Sequence, residues 1–62
     1  MSETLTEAQA LARVREIAGL LRDLEARAQE STSAQIELSL FERAAELADE
    51  AAGLLEQVGR RP

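Results

Sequence analysis

The only side chains here with a nucleophilic look are four serines, Ser2, Ser31, Ser33 and Ser39. A serine hydroxyl attacks only after a neighbouring base has taken its proton. The chain contains no histidine and no lysine, so neither a Ser–His nor a Ser–Lys arrangement can be assembled. Helix capping and solvent exposure account for these hydroxyls instead. With no cysteine either, a zinc site would have to be made of carboxylates and water alone, against the nitrogen and sulfur preference of that metal. No glycine-rich loop is present to cradle a phosphate. We therefore expect no catalytic residue, no bound metal and no cofactor.

The carboxylates form the one dense group. Glu42, Glu46, Asp49 and Glu50 fall close together, and residues 31–58 hold six acidic side chains against the single basic Arg43. A di-metal carboxylate centre in a helical protein uses a Glu-x-x-His motif, which is absent. Glu42–Glu46 and Glu46–Glu50 are like-charge pairs four residues apart, each mildly destabilising in a helix. Two readings stay open: a solvated acidic face, or a stripe that meets a basic partner or repels nucleic acid. Such charge steers an encounter more than it tightens a complex.

These residues must be carried by helices. The chain is rich in Ala, Leu, Glu and Arg, all strong helix formers. Strands favour β-branched and aromatic residues; here these are Val14, Val58, Ile17, Ile36, three threonines and the lone aromatic Phe41. At 62 residues the chain is one domain, and a globule of this size buries only about 60% of its unfolded surface. Disulfides and metals being excluded, association is the remaining route to stability. The formal charge is −5, with all seven basic residues arginine, so direct binding to a phosphate backbone is not expected. No apolar run approaches the roughly 20 residues that span a bilayer. Met1-Ser2-Glu3-Thr4 is acidic and precedes no apolar block, unlike a secretory signal, so the expected compartment is the cytoplasm.

Two amphipathic stretches share the same period. In the first, Val14, Ile17, Leu21, Leu24 and Ala28 recur three and four residues apart, and Leu11, Ala18 and Leu20 widen the stripe. In the second, Leu40, Ala44, Leu47, Ala51, Leu54 and Val58 repeat likewise, broadened by Ile36, Phe41, Ala48 and Leu55. This is the pattern of helices with one apolar side. Thr4 with Glu7, or Thr6 with Gln9, provides a capping box for the first. Asp23 and Arg27 are spaced for an ion pair. Gly59 is placed to end the second helix in a left-handed conformation, with Arg60 and Arg61 where the helix dipole favours positive charge, and Pro62 after them. Between the stretches, Ser31-Thr32-Ser33 are poor helix-interior residues and good caps. The spacing thus predicts an all-α, coiled-coil-like antiparallel hairpin: helix 1 over about 6–29, a turn over about 30–33, helix 2 over about 34–58. One continuous helix is the competing architecture. Gly19 and Gly53 fall inside the helices, as close-approach points or as tolerated surface positions.

The apolar stripes are wider than a two-helix seam requires. Each large apolar side chain left in water forfeits roughly 1.5–3 kcal/mol, against a total domain stability of about 5–15 kcal/mol. The surplus should therefore find another helical surface. The candidate partner-binding residues are Val14, Ile17, Leu21, Leu24, Leu40, Phe41, Ala44, Leu47, Ala48, Ala51, Leu54 and Leu55, holding the hairpin together and docking it on a large helical subunit, on copies of itself, or on both. Phe41 reads equally well as an interface anchor and as an ordinary core residue.

The segment Ser39-Leu40-Phe41-Glu42-Arg43-Ala44-Ala45-Glu46-Leu47-Ala48, continuing to Leu54-Leu55-Glu56, resembles the second helix of the exodeoxyribonuclease VII small-subunit family. That family carries a Leu-(Phe/Tyr)-Glu-x-Gly-x-x-Leu-Ala-like signature and a later Leu-Leu pair. Ala10-Leu11, Val14, Glu16-Ile17 and Leu21 are similar to its first helix, and the resemblance covers most of residues 8–57. Two features differ: the connection from Gln29 to Gln35 is longer and lacks glycine, and Ala44 stands at the signature glycine. The resemblance implies a non-catalytic helical-hairpin subunit. It would be present in several copies and bound to the helical part of a large subunit that degrades single-stranded DNA. The rival expectations are a homodimeric four-helix-bundle structural module and a regulatory, antitoxin-like adaptor.

Overall fold

The computed structural model describes residues 6–60. The expectations for Met1-Ser2-Glu3-Thr4, for the Thr4–Glu7 capping frame and for Arg61 and Pro62 fall outside the described residues. Within them the chain is two α-helices, α1 (Glu7–Glu30) and α2 (Ala34–Gly59), packed on each other as a hairpin. At 1.5 Å per residue the helices are roughly 36 and 39 Å long. The pair measures 47 × 20 × 15 Å.

Local chemistry accounts for each boundary. The hydroxyl of Thr6 accepts from the Gln9 backbone N–H at 3.1 Å, while the Thr6 N–H donates to the Gln9 side chain at 3.0 Å. This reciprocal box satisfies two of the donors that a helix start leaves orphaned. Helix α1 ends where Ser31 turns extended (φ −78°, ψ 141°), its N–H still reaching the Ala28 carbonyl at 3.2 Å. Ser33 is extended as well, and its Oγ caps α2 by accepting from the Ile36 N–H at 3.3 Å. Ser31 and Ser33 are tied to each other: the Ser33 N–H donates to Ser31 Oγ at 3.1 Å and Ser31 Oγ–H donates to the Ser33 carbonyl at 3.2 Å. These hydroxyl bonds break the helix at residues 31–33 without proline or glycine, so the single continuous helix is not formed.

The seam holds the core. Ala10, Ile17 and Leu47 are at most 2% exposed. Val14, Leu21, Leu24 and Ala28 on α1, and Leu40, Ala44, Ala51, Leu54 and Val58 on α2, are half-buried around them. Fully burying a residue the size of Ile or Leu contributes roughly 1.5–3 kcal/mol.

Two expectations of detail are corrected, and one open alternative is decided. Gly59 does not adopt a left-handed conformation. The helix runs through it, and Arg60 closes the end in a right-handed conformation, its N–H shared between the Glu56 and Gln57 carbonyls at 3.1 and 3.3 Å. With those carbonyls already met, no left-handed residue is required. Asp23 and Arg27 do not pair; the ion pairs within a helix are Arg13–Glu16, Arg43–Glu46 and Arg60–Glu56. Gly19 and Gly53 mark no close helix approach, since a Cβ added to either would meet nothing within 4 Å.

Candidate docking face

Two flanks leave the seam, one on each broad side of the hairpin, and they differ in kind. Residues seven apart return to nearly the same side of a helix. On α2, Phe41, Ala48 and Leu55 follow that interval; on α1, Leu11, Ala18 and Glu25 do. The two rows share one side of the molecule. Phe41 and Glu25 line the same groove between the helices, an open trough of about 470 Å³ floored by Leu21, Leu24, Ala28, Leu40 and Ala44 and edged by Gln29. Phe41 is 60% exposed, Leu55 49% and Leu11 39%. Ala48 is exposed and Ala18 half-buried between them. This flank is therefore an apolar strip along the hairpin, large at both ends and small in the middle, with Glu25 as the charged group in its two rows.

The opposite flank is polar. Arg13 forks across the interhelical boundary: its Nε donates to Glu50 Oε2 at 2.7 Å and one terminal nitrogen to Glu50 Oε1 at 2.9 Å. Its other terminal nitrogen donates to Glu16 at 2.9 Å on its own helix. A bidentate guanidinium–carboxylate contact is among the stronger, more directional hydrogen-bond arrangements. The Arg13 hydrogen bonds hold the Glu50 carboxyl below the usual carboxylate range against the opposing effect of desolvation, with the charges of Arg13 and Arg43 adding to the shift. The same bonds, to Glu50 and then Glu16, hold the Arg13 guanidinium still more firmly protonated. Further along this flank a smaller recess of about 210 Å³ is lined by Leu20, Asp23, Leu24, Arg27, Arg43 and Leu47. Glu46 lies beyond it, paired to Arg43 at 3.3 Å.

The structure divides the sequence-derived docking set. Ile17 and Leu47 are buried, and Val14, Leu21, Leu24, Leu40, Ala44, Ala51 and Leu54 are half-buried in the seam, so these nine hold the hairpin first. Phe41, Ala48 and Leu55 are exposed and free to meet another molecule. Phe41 is not a core residue of the isolated hairpin. Leu11 belongs with these three, as a flank residue outside the original set. Leu38, 58% exposed, escaped sequence reasoning because its position falls opposite the α2 stripe, where period gives no signal. Ile36, read as broadening the stripe, is 56% exposed near the turn.

Among the described residues no three acidic side chains gather into a set able to hold a metal ion, and no buried side-chain polar atom lacks a hydrogen-bond partner. No helix among them is long and apolar enough to cross a membrane. The chain matches no protein-family model, and no curated protein or solved structure matches it. The geometry offers a surface for contact, composed of apolar side chains on a rigid pair of helices.

Proposed function

We propose that this chain is a non-catalytic docking subunit that lays its apolar flank on helices of a larger protein. The observation that carries the reading is the strip formed by Leu11, Phe41 and Leu55, each 39–60% exposed on one side of a hairpin of only 62 residues. Single exposed apolar residues are ordinary, whereas several aligned on one face mark an interaction site. An aromatic residue at the edge of a groove is the usual form of an interface anchor. The resemblance of residues 39–56 to the exodeoxyribonuclease VII small subunit gives that partner a chemical identity: the helical portion of a large subunit that degrades single-stranded DNA. In that assembly the polar flank, with the Arg13–Glu50 and Arg43–Glu46 pairs, faces away from the partner, and the catalysis belongs to the large subunit.

The test is co-expression with the exodeoxyribonuclease VII large subunit of the same genome. The chain should co-purify with it and be required for degradation of single-stranded DNA, and Phe41→Glu should abolish both effects while leaving the hairpin helical by circular dichroism. A large subunit that is fully active alone, and that passes through a column carrying this chain, overturns the assignment.

A further inference from the structure

We propose that, in the absence of the larger protein, a second copy of this chain covers the apolar flank, the two hairpins running antiparallel with α2 against α2; this rests on the reading of that flank as a docking surface. Three observations carry it. The first is shape. The broad side of the hairpin extends 47 × 20 Å, and the strip from Phe41 through Ala48 to Leu55 runs along it, so a second copy lying lengthwise covers the whole strip.

The second is the order of side-chain sizes along the strip. Phe41 and Leu55 stand seven residues to either side of Ala48, about 10 Å along the axis in each direction. A two-fold axis lying across the helices at Ala48 sets Ala48 on Ala48 and brings Phe41 of each copy to Leu55 of the other. The small residues at the centre let the two α2 backbones approach, and the large ones close the ends. This is the self-complementarity that a two-fold interface demands. The alternative two-fold, along the hairpin, sets Phe41 over the Glu25 carboxylate of the second copy and Leu11 over Leu55. Phe41 is 60% exposed and Leu11 39%, so pairing Phe41 with an apolar residue removes more oily surface from water.

The third is where the charge lies. The chain carries a net −5, but the Arg13–Glu50 and Arg43–Glu46 pairs lie on the opposite side of the hairpin. Face-to-face association therefore leaves these carboxylates hydrated and apart; the carboxylate it does cover is Glu25, which this axis sets over Leu11 of the second copy and at the opposite end of the strip from its own equivalent.

Sedimentation equilibrium of the purified full chain, with no partner present, should give twice the 6.8 kDa chain mass. Ala48→Glu should weaken the dimer ~100-fold or more, because two carboxylates would be forced together at the centre. Helicity should persist, since residue 48 is exposed and Glu is a good helix former. Ala12→Glu, exposed and off the strip, should leave the dimer intact. The chain has no cysteine, so single cysteines report the geometry. Ala48→Cys should cross-link to itself on mild oxidation, while Phe41→Cys should do so only when mixed with Leu55→Cys. A monomer at micromolar concentration overturns the proposal, as does a dimer in which Phe41→Cys partners Glu25→Cys and Ala48→Cys stays reduced. Binding to a larger subunit is measured separately, so its failure would leave the self-association result standing, and the reverse.

Discussion

The two broad sides of this hairpin are built from the same two helices, at the same spacing from the same seam, and have opposite chemistry. One side presents Leu11, Phe41 and Leu55 around small alanines. The other is laced by Arg13 with Glu50 and Glu16, and by Arg43 with Glu46. The polar side is partly satisfied within the chain: Arg13 and Arg43 meet Glu50, Glu16 and Glu46, and Asp23 and Arg27 stand exposed beside them. The apolar side meets nothing more among the described residues. In a helical pair, the seam decides that two helices associate, and the flanks decide what the pair does next.

The sharpest way to separate seam from flank is to remove a residue that serves the seam alone. Leu47→Ala deletes one of the two largest fully buried side chains; such changes cost about 2–5 kcal/mol. In a hairpin this small, thermal melting followed by circular dichroism should show loss of most cooperative structure, together with every binding property. Phe41→Ala is the complementary change on the apolar side. It should weaken partner binding by roughly 2–4 kcal/mol if Phe41 anchors the interface, while moving monomer stability by no more than about 0.5 kcal/mol, as expected of an exposed site. Calorimetric titration against the partner checks the first number and a denaturant curve the second; the reverse result would make Phe41 part of the seam.

Smaller effects test the polar side and the helix ends. Ser33→Ala removes the cap that accepts from Ile36, and should cost about 1 kcal/mol without touching either flank. Gly19→Ala or Gly53→Ala should each stabilise by up to about 1 kcal/mol, because a methyl group there meets nothing within 4 Å. Glu50→Gln should have the smallest effect of these, a slight loss of stability at neutral pH that vanishes in acid. The folded carboxyl lies below its ordinary value because of Arg13. Its contribution is therefore present above the unfolded value of about 4.3 and is lost as pH falls through the lower folded one. In the Gln variant that part of the acid limb of a stability–pH curve should flatten, with binding through the apolar side unchanged.

The elements were legible in the sequence because they follow from local chemistry. The four-three spacing of Val14, Ile17, Leu21 and Leu24, and of Leu40, Ala44, Leu47 and Ala51, fixes which side of each helix is turned inward. The run Ser31-Thr32-Ser33 marks the break, since hydroxyls that bond their own backbone compete with the helix. What was not legible depends on how two helices lie against each other. Arg13 reads as one more solvated arginine until α2 brings Glu50 to it, 37 residues away in the chain. Likewise, the period places Leu11, Leu20 and Leu55 alike beside the seam, and only pairing shows that Leu20 is half-buried while Leu11 and Leu55 stay exposed. Gly59 was misread because a glycine near a helix end permits a left-handed cap without compelling one, and the backbone here closes on Arg60.

The fork from Arg13 to Glu50 has one more effect. Leucine and alanine stripes repeated every seven residues are nearly indifferent to sliding, so the axial alignment rests on the short turn at residues 31–33 and on contacts outside the seam. Slide α2 by one heptad in one direction and Arg13 comes beside Arg43; slide it in the other and it faces Gln57. The first puts two positive charges together and the second leaves Glu50 without its cation. A contact worth little as glue thereby acts as a key that rejects misaligned pairs, the best-attested use of a charged group beside an apolar interface.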